Sequence, residues 1–262
     1  MELGITDSSK WPELPEQPIC KILKDSCNCS IWFSCQLNTF WKPYGKGDIM
    51  YEWVTDKKFI KETYSICADI VNQLVQRLNK EGINSYFFDV GSKRRNMITR
   101  NGKAPIDFDF NLFIENEMRY NCKELKEYIM NIFNEILKNK KWRASKDSTS
   151  VITTGPKNPG KIPYSIDVCI ITSDGWGNYQ RLIHEKHEDN RYDKYYWNQS
   201  PSDKGIDEKE EFLKPDHWIE VRERYLEKRN EYLCQQDNFH PAFVCYIEAL
   251  NEIYNKYHRF GW

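Results

Sequence analysis

The sequence predicts a mixed α/β (α+β) fold, in which a mixed β-sheet carries helices on one side and a helical region follows towards the C-terminal end. Apolar residues at a helical period indicate two amphipathic helices, one after Asp56 and one after Asn121, where Glu124 completes a capping box. Between and after these helices lie short runs rich in β-branched and aromatic residues, at 85–90, 106–114 and 161–171. Alternating strands and helices of this kind favour one sheet with helices packed behind it.

The composition is typical of a water-soluble chain. Of the 262 residues, 40% are hydrophobic and 29% are charged, and the formal net charge is −1, which argues against a protein that coats long nucleic acids. No apolar run approaches the roughly 18 residues of a membrane span, and the polar, proline-rich start is unlike a signal peptide. We expect a cytoplasmic protein without membrane contact, whose nine cysteines are reduced thiols.

We expect three parts along the chain. Residues 1–54 form a tail and a segment that fits a strand as well as a helix, residues 55–172 form the core domain, and residues 173–262 form a loop and helical C-terminal region. Four cysteines of the first part lie close together, namely Cys20, Cys27, Cys29 and Cys35. Because they lack a matched Cys-x-x-Cys pair, idle thiols are favoured, and a zinc-stabilised interaction protein is the minor alternative.

A glycine-serine pair, Gly91-Ser92, directly follows the first predicted strand. The helix before it is capped by Thr55 or Asp56 and ended by Gly82, so it leads the chain into that strand. Since glycine has no Cβ, backbone N–H groups and the serine hydroxyl can approach an anion closely at this point. We therefore expect Gly91 and Ser92 to contact phosphate.

A basic stretch connects this pair to the next strand. Its five cations are Lys93, Arg94, Arg95, Arg100 and Lys103. A solvated loop would account for any one of them, but next to a glycine turn the favoured role is contact with a triphosphate. Lys93 and Arg94 are nearest to the turn, and we expect both to bind nucleotide.

The strand at 106–114 opens with two aspartates, Asp107 and Asp109, which alternate with phenylalanines. Residues two apart in a strand point to the same face, so the two carboxylates share one face at a Cα separation of roughly 6 to 7 Å. Like charges this close repel and shift each other's pKa unless cations lie between them. The pair therefore predicts a Mg²⁺ site.

A third aspartate, Asp167, is the lone charge in the middle of the apolar strand at 161–171. An ionised carboxylate in such a strand is costly unless it is paired or binds a metal. The β-rich residues 149–154 lie just before it, across a loop, and we expect the two strands to pair as an antiparallel hairpin.

The order of Val90, Gly91-Ser92, Asp107, Asp109 and Asp167 resembles that of the DNA polymerase β-like nucleotidyltransferases. In that superfamily Gly-Ser or Gly-Gly follows a strand, Asp-x-Asp or Asp-x-Glu lies on the next strand, and a lone Asp lies on a later one. The resemblance covers about residues 57 to 172. It implies a sheet core with the acids facing a cleft.

The resemblance also implies the activity and the residues that carry it. The catalytic and metal-binding residues, for two Mg²⁺ ions, would be Asp107, Asp109 and Asp167. The nucleotide-binding residues would be Gly91, Ser92, Lys93 and Arg94. An NTP, with ATP favoured, would donate its nucleotidyl group to an acceptor hydroxyl or phosphate and release pyrophosphate.

The acceptor stays open among a small molecule, a nucleotide, an RNA end and a protein. The alternative from another class is a non-catalytic nucleotide- or RNA-binding module that retains the fold. Such a module would be expected to have lost one of the acids, and all three are present. We therefore favour the enzyme.

The region from 172 to 214 is predicted to be a long polar connection. Within it, His184 and His187 are expected to be solvated and not bound to metal. The aromatic cluster Tyr195-Tyr196-Trp197 would either close the domain junction or stack a nucleobase. Two helices follow, one capped by Asp216 and one opened by Pro241, and by resemblance this αα-hairpin would form a wall of the cleft.

Overall fold

The computed structural model describes residues 50–115, 119–174, 176–200, 205–235, 237 and 240–258. The predictions for residues 1–49, including the four clustered cysteines, lie outside this part of the chain. None of the helices in the described ranges has the length and apolar character to span a lipid bilayer.

The described part contains six α-helices, nine strands and a short 3₁₀ turn at Asn190–Tyr192. The helices are α1 (Lys57–Lys80), α2 (Gly91–Arg94), α3 (Cys122–Asn139), α4 (Ile206–Leu213), α5 (Trp218–Cys234) and α6 (Ala242–His258). The strands are β1 (Tyr51–Trp53), β2 (Ser85–Asp89), β3 (Thr99–Asn101), β4 (Ile106–Ile114), β5 (Lys146–Asp147), β6 (Ile152–Thr154), β7 (Tyr164–Ser173), β8 (Tyr179–Glu185) and β9 (Lys194–Gln199).

Seven strands form one mixed sheet, as predicted. Its order is β2-β4-β7-β6-β5, with β8 paired to β7 and β9 paired to β8, and β1 pairs β3 in a small separate sheet. β4 and β7 run parallel, while β6 and β7 form the predicted antiparallel hairpin. The long strand β7 therefore pairs with β6 along its first half and with β8 at its end.

The main core lies on one face of this sheet. Period-two alternation in β4 buries Phe108, Phe110 and Leu112 among apolar residues of α1 and α3, and full burial of each such side chain contributes about 1.5–3 kcal/mol. Both predicted helix starts are confirmed. Asp56 caps α1 by accepting from the Phe59 N–H at 2.9 Å, and the capping box of Asn121 and Glu124 opens α3.

A second core lies among the C-terminal helices, and it also takes in Met97 from the segment after the Gly-Ser pair. Its buried residues are Met97, Leu213, Val221, Tyr225, Cys245, Tyr246, Ala249 and Leu250. α6 follows Pro241, as predicted, but α5 follows His217 without any side-chain cap, so the prediction that Asp216 caps it was wrong. The helix α4 was not predicted.

The prediction of a long polar connection from 172 to 214 was also wrong. β8 and β9 lie there and continue the sheet to Gln199, because alternate residues such as Leu182, Tyr195 and Trp197 supply enough apolar surface to pack on the main core. The aromatic cluster is therefore part of a strand and not of a loop. The proposed division of the chain at residue 172 falls within β7, which ends at Ser173.

His184 is buried, contrary to the prediction that it is solvated. Its Nδ1 lies 2.6 Å from Oδ2 of Asp147 and its Nε2 lies 2.8 Å from Oδ2 of Asp193. Tyr195 stacks on the imidazole at a centroid distance of 4.0 Å. A histidine whose two ring nitrogens both hydrogen-bond to carboxylates can be buried without a large cost in folding free energy. His187 is exposed, as expected.

Candidate active site

The register of two neighbouring strands brings three carboxylates to one place. β4 and β7 run parallel, with Asp109 directly opposite Asp167 and Asp107 opposite Ser165. Directly paired residues and residues two apart share one face of a sheet, so all three aspartates lie on the face opposite the main core.

Two hydroxyl groups orient these acids. Thr153 on β6 donates a hydrogen bond to Oδ1 of Asp167 at 2.6 Å, and Ser165 on β7 donates one to Oδ1 of Asp107. Neither hydroxyl was picked out from the sequence. The signal was present, because Ser165 lies two residues before Asp167, on the same face of a strand whose middle is apolar.

The cluster carries more negative charge than its surroundings offset. Burial, together with the charges of Asp167 and Asp107, raises the pKa of Asp109 to about 7, and Arg95 acts weakly in the other direction. Burial and Asp107 also raise the pKa of Asp167, while the Thr153 hydrogen bond lowers it. A cation placed among these groups would relieve both effects.

The donor set fits Mg²⁺ in the manner usual for phosphate chemistry. Carboxylate oxygens are the hard ligands that Mg²⁺ prefers, and this ion is usually held by one or two carboxylates together with substrate phosphates and water, without a closed protein cage. Among the described residues, no three or more His, Cys, Asp or Glu side chains are arranged so that they could hold a metal ion. Asp107 and Asp109 are suited to such a shared role.

The Gly-Ser pair packs directly against one of the acids. It opens the short helix α2, and Gly91 adopts a φ of +69°. A Cβ at position 91 would lie 2.1 Å from Oδ2 of Asp109, so only glycine fits there. The N–H of Val90 donates to the carbonyl of Asp109 at 3.0 Å. Ser92 is therefore held close to the acidic face.

The cations that follow Ser92 differ in their environments. The Lys93 amino group lies 2.6 Å from Oδ2 of Asp89 and 3.4 Å from the centre of the Tyr64 ring. Arg94 is exposed and forms no ion pair with any described residue. Arg95, which the sequence analysis named only as one of the five cations of the basic stretch, pairs with Glu210 of α4 at 2.9 Å. Of Lys93, Arg94 and Arg95, Arg94 is thus the one whose guanidinium has no ion-pair partner among the described residues and can bind an anion.

Further along the same face lie an aromatic patch and Arg181. The patch consists of Tyr86, Phe88, Phe113 and Tyr179, with neighbouring ring centroids 4.8 to 6.3 Å apart. Arg181 pairs in register with Ile171 of β7 on this face, and its buried Nε has no hydrogen-bond partner among the described residues. Sequence reasoning missed Tyr179 and Arg181 because both lie on β8, which was not predicted.

Similar solved structures come from bacteria. Escherichia coli CdnC, solved in complex with HORMA-deltaN, matches 76% of this chain and 60% of its own length, with a TM-score of 0.50 and 13% identity. The GTP-bound form of Vibrio cholerae DncV matches 66% of this chain and 45% of its own length, with a TM-score of 0.49 and 14% identity. The chain thus spans about half of the length of the structures it matches.

No protein-family model and no curated protein matches the chain. At 13% identity the likeness to CdnC concerns the fold alone. The chain therefore has the fold of the DNA polymerase β-like nucleotidyltransferases.

Proposed function

We propose that this protein is a Mg²⁺-dependent nucleotidyltransferase that moves a nucleotidyl group from an NTP, ATP by preference, to an acceptor and releases pyrophosphate. The observation that carries the proposal is the register of β4 and β7, which sets Asp109 opposite Asp167, with the Gly91 turn packed on Asp109. A non-catalytic binding module would have no need for three neighbouring carboxylates that repel one another, two of them, Asp109 and Asp167, partly buried.

Each residue has a proposed role. Asp107 and Asp109 would hold two Mg²⁺ ions, whose positive charge would offset that of the triphosphate and of the leaving pyrophosphate. Ser92 and the Gly91 backbone would contact the phosphates. Asp167, whose pKa is raised by burial, would share in metal binding and accept the proton of the acceptor hydroxyl, with Thr153 keeping its carboxylate in place.

The face that carries the acids also favours one kind of acceptor. Tyr86 and Tyr179 of the aromatic patch are 45% and 42% exposed, so their rings are available for stacking. Arg181 offers a guanidinium with an unsatisfied Nε on the same face. We propose an acceptor that combines a planar ring with a negative charge.

The proposal predicts joint stabilisation by NTP and Mg²⁺. At millimolar concentrations the two together should raise the melting temperature by about 2 to 6 °C, more than either alone, because a ligand that binds the folded state stabilises it. A thermal melt with each NTP measures this. The same melt with Asp107→Asn/Asp109→Asn should lose the joint shift, and exposed Asp207→Asn should keep it. An unchanged shift in the double variant would remove the acids from the binding site.

Arg94 and Lys93 should behave differently when replaced. Arg94→Ala should weaken NTP binding about three- to tenfold and leave the melting temperature unchanged, because an exposed cation loses only its contact with the ligand. Lys93→Ala should lower stability, because it leaves Asp89 without its partner. Lys80→Ala, at the exposed end of α1, is the control for loss of charge. Equal NTP affinity in wild type and Arg94→Ala would assign Arg94 to the solvated surface.

A further inference from the structure

Arg95 connects the Gly-Ser turn to the C-terminal helices. Its Nε donates to Oε1 of Glu210 on α4 at 2.9 Å, and its Nη1 lies 3.5 Å from the carbonyl oxygen of Gly91. The guanidinium also lies 4.4 Å from the centre of the Tyr246 ring on α6. One side chain thus contacts the backbone of the turn and two helices that are distant in sequence.

The carboxylate of Glu210 is buried and hydrogen-bonded to Arg95 and two other side chains. It is only 6% exposed, and it accepts from Arg95, from the Tyr246 hydroxyl and, on its other oxygen, from Lys214 at 2.8 Å. Although burial opposes ionisation, the donors Lys214, Tyr246 and Arg95 lower its pKa to about 2. A buried carboxylate with all of its partners in place fixes the direction of each donor.

A second contact ties the same segment to the same helices. The N–H of Met97 donates to the carbonyl of Ser92 at 2.8 Å, and the Met97 side chain, which is 1% exposed, belongs to the second core together with Leu213 and Tyr246. Between these anchors the chain turns at Asn96, with a φ of 57°. Arg95 and Met97 therefore hold the end of segment 91–97 on the C-terminal helices, and the carbonyls of Gly91 and Ser92 bond back to these two residues.

The position of residues 91–97 affects the acidic cluster, because the Gly91-Ser92 turn is in close contact with Asp109. Gly91 packs so closely on Asp109 that a Cβ would lie 2.1 Å from its carboxylate. We propose that Glu210 and Tyr246 are positioning residues, through which the C-terminal helices hold the Gly91-Ser92 turn against Asp109 by way of Arg95. An effect of these residues on the kinetics of nucleotidyl transfer rests on the proposed function, whereas the contacts between Arg95 and the C-terminal helices do not.

Hydrogen exchange tests the link without any nucleotide. In Glu210→Gln, and in the volume-preserving Tyr246→Phe, the amides of residues 91–97 should exchange about tenfold faster than in the wild type. Lys214→Gln is the matched control, because it removes the more exposed partner of Glu210 and leaves Arg95 and Tyr246 bonded; its exchange should match the wild type. Equal exchange at 91–97 in all four proteins, with unchanged melting temperatures, would overturn the proposal.

Steady-state kinetics separates positioning from a general loss of stability. Glu210→Gln and Arg95→Met should raise KM for the NTP about tenfold while changing kcat much less, and Arg95→Lys should recover part of the loss. A merely structural role would lower the amount of active enzyme and leave KM unchanged, which would contradict the proposal. If the wild type transfers no nucleotide, the proposed function fails, and the exchange result still decides whether the link exists.

Discussion

Asp109→Asn is expected to lower nucleotidyl transfer by about 10³-fold while the metal-free protein becomes more stable than the wild type. Activity falls because asparagine cannot supply the charged oxygen that Mg²⁺ requires. Stability rises because the substitution removes a partly buried charge that lies beside Asp107 and Asp167. A residue with a purely structural role would show the opposite sign in stability.

The gain in stability should depend on pH, and its sign follows from the direction of the pKa shift. Asp109 has a folded-state pKa of about 7, above the ordinary value of 3.8. Its proton therefore stabilises the folded state fully below about pH 4, and this stability is lost as the pH rises to about 7. Asp109→Asn should gain about 1 to 3 kcal/mol at pH ~8 and much less at pH ~4.

Urea unfolding of wild type, Asp109→Asn and exposed Asp207→Asn in the presence of a chelator measures this effect. The surface control should follow the wild type at both pH values, since its charge is solvated in both states. A variant at position 109 that is destabilised at high pH would mean that Asp109 has a cationic partner that stabilises its charge. In that case the excess of negative charge inferred for the cluster would be wrong.

Gly91→Ala is expected to reduce transfer about 100-fold, because displacement of catalytic groups by about an ångström is enough for a loss of this size. The new Cβ would lie 2.1 Å from Oδ2 of Asp109, so either the carboxylate or the turn must move. The positive φ of +69° adds backbone strain of about 1 to 3 kcal/mol.

Gly177→Ala separates strain from the clash. Gly177 has a φ of +87° and no heavy atom within 4 Å of the place of a Cβ. The two variants should therefore have similar backbone strain, while Gly177→Ala retains wild-type activity. If kcat/KM falls equally in both variants, the loss comes from backbone strain, and the close packing of Gly91 on Asp109 has no role in catalysis.

Local patterns predicted much of the core. The alternation of Asp107 and Asp109 with Phe108 and Phe110 was enough to assign one face to acids and the other to the core, and the structure confirms that division. The caps of α1 and α3 are equally local, because the donor and acceptor lie three residues apart. In each case the information lies within one turn or one strand.

The features that sequence reasoning missed depend on distant partners. β8 and β9 contain many charged and polar residues, and they form strands because Leu182 and Trp197 pack on a core built elsewhere. One exception is the pairing of Lys93, which was expected to be available to phosphate, with Asp89 only four residues away. Arg95 meets Glu210 across 115 residues of sequence, which no local pattern encodes.

The central claim, that this chain transfers nucleotidyl groups from an NTP through Asp109, is tested most directly by product analysis. Wild type, Asp109→Asn and Asp207→Asn would each be incubated with Mg²⁺ and each NTP, with the NTPs themselves, an RNA oligonucleotide and the protein as acceptors. Pyrophosphate release and the mass of the products would be measured. We predict that the wild type and Asp207→Asn release pyrophosphate and form a nucleotidylated product. Neither product should form when a chelator removes Mg²⁺, or with Asp109→Asn. No product from any NTP, or equal product from Asp109→Asn, would contradict the claim.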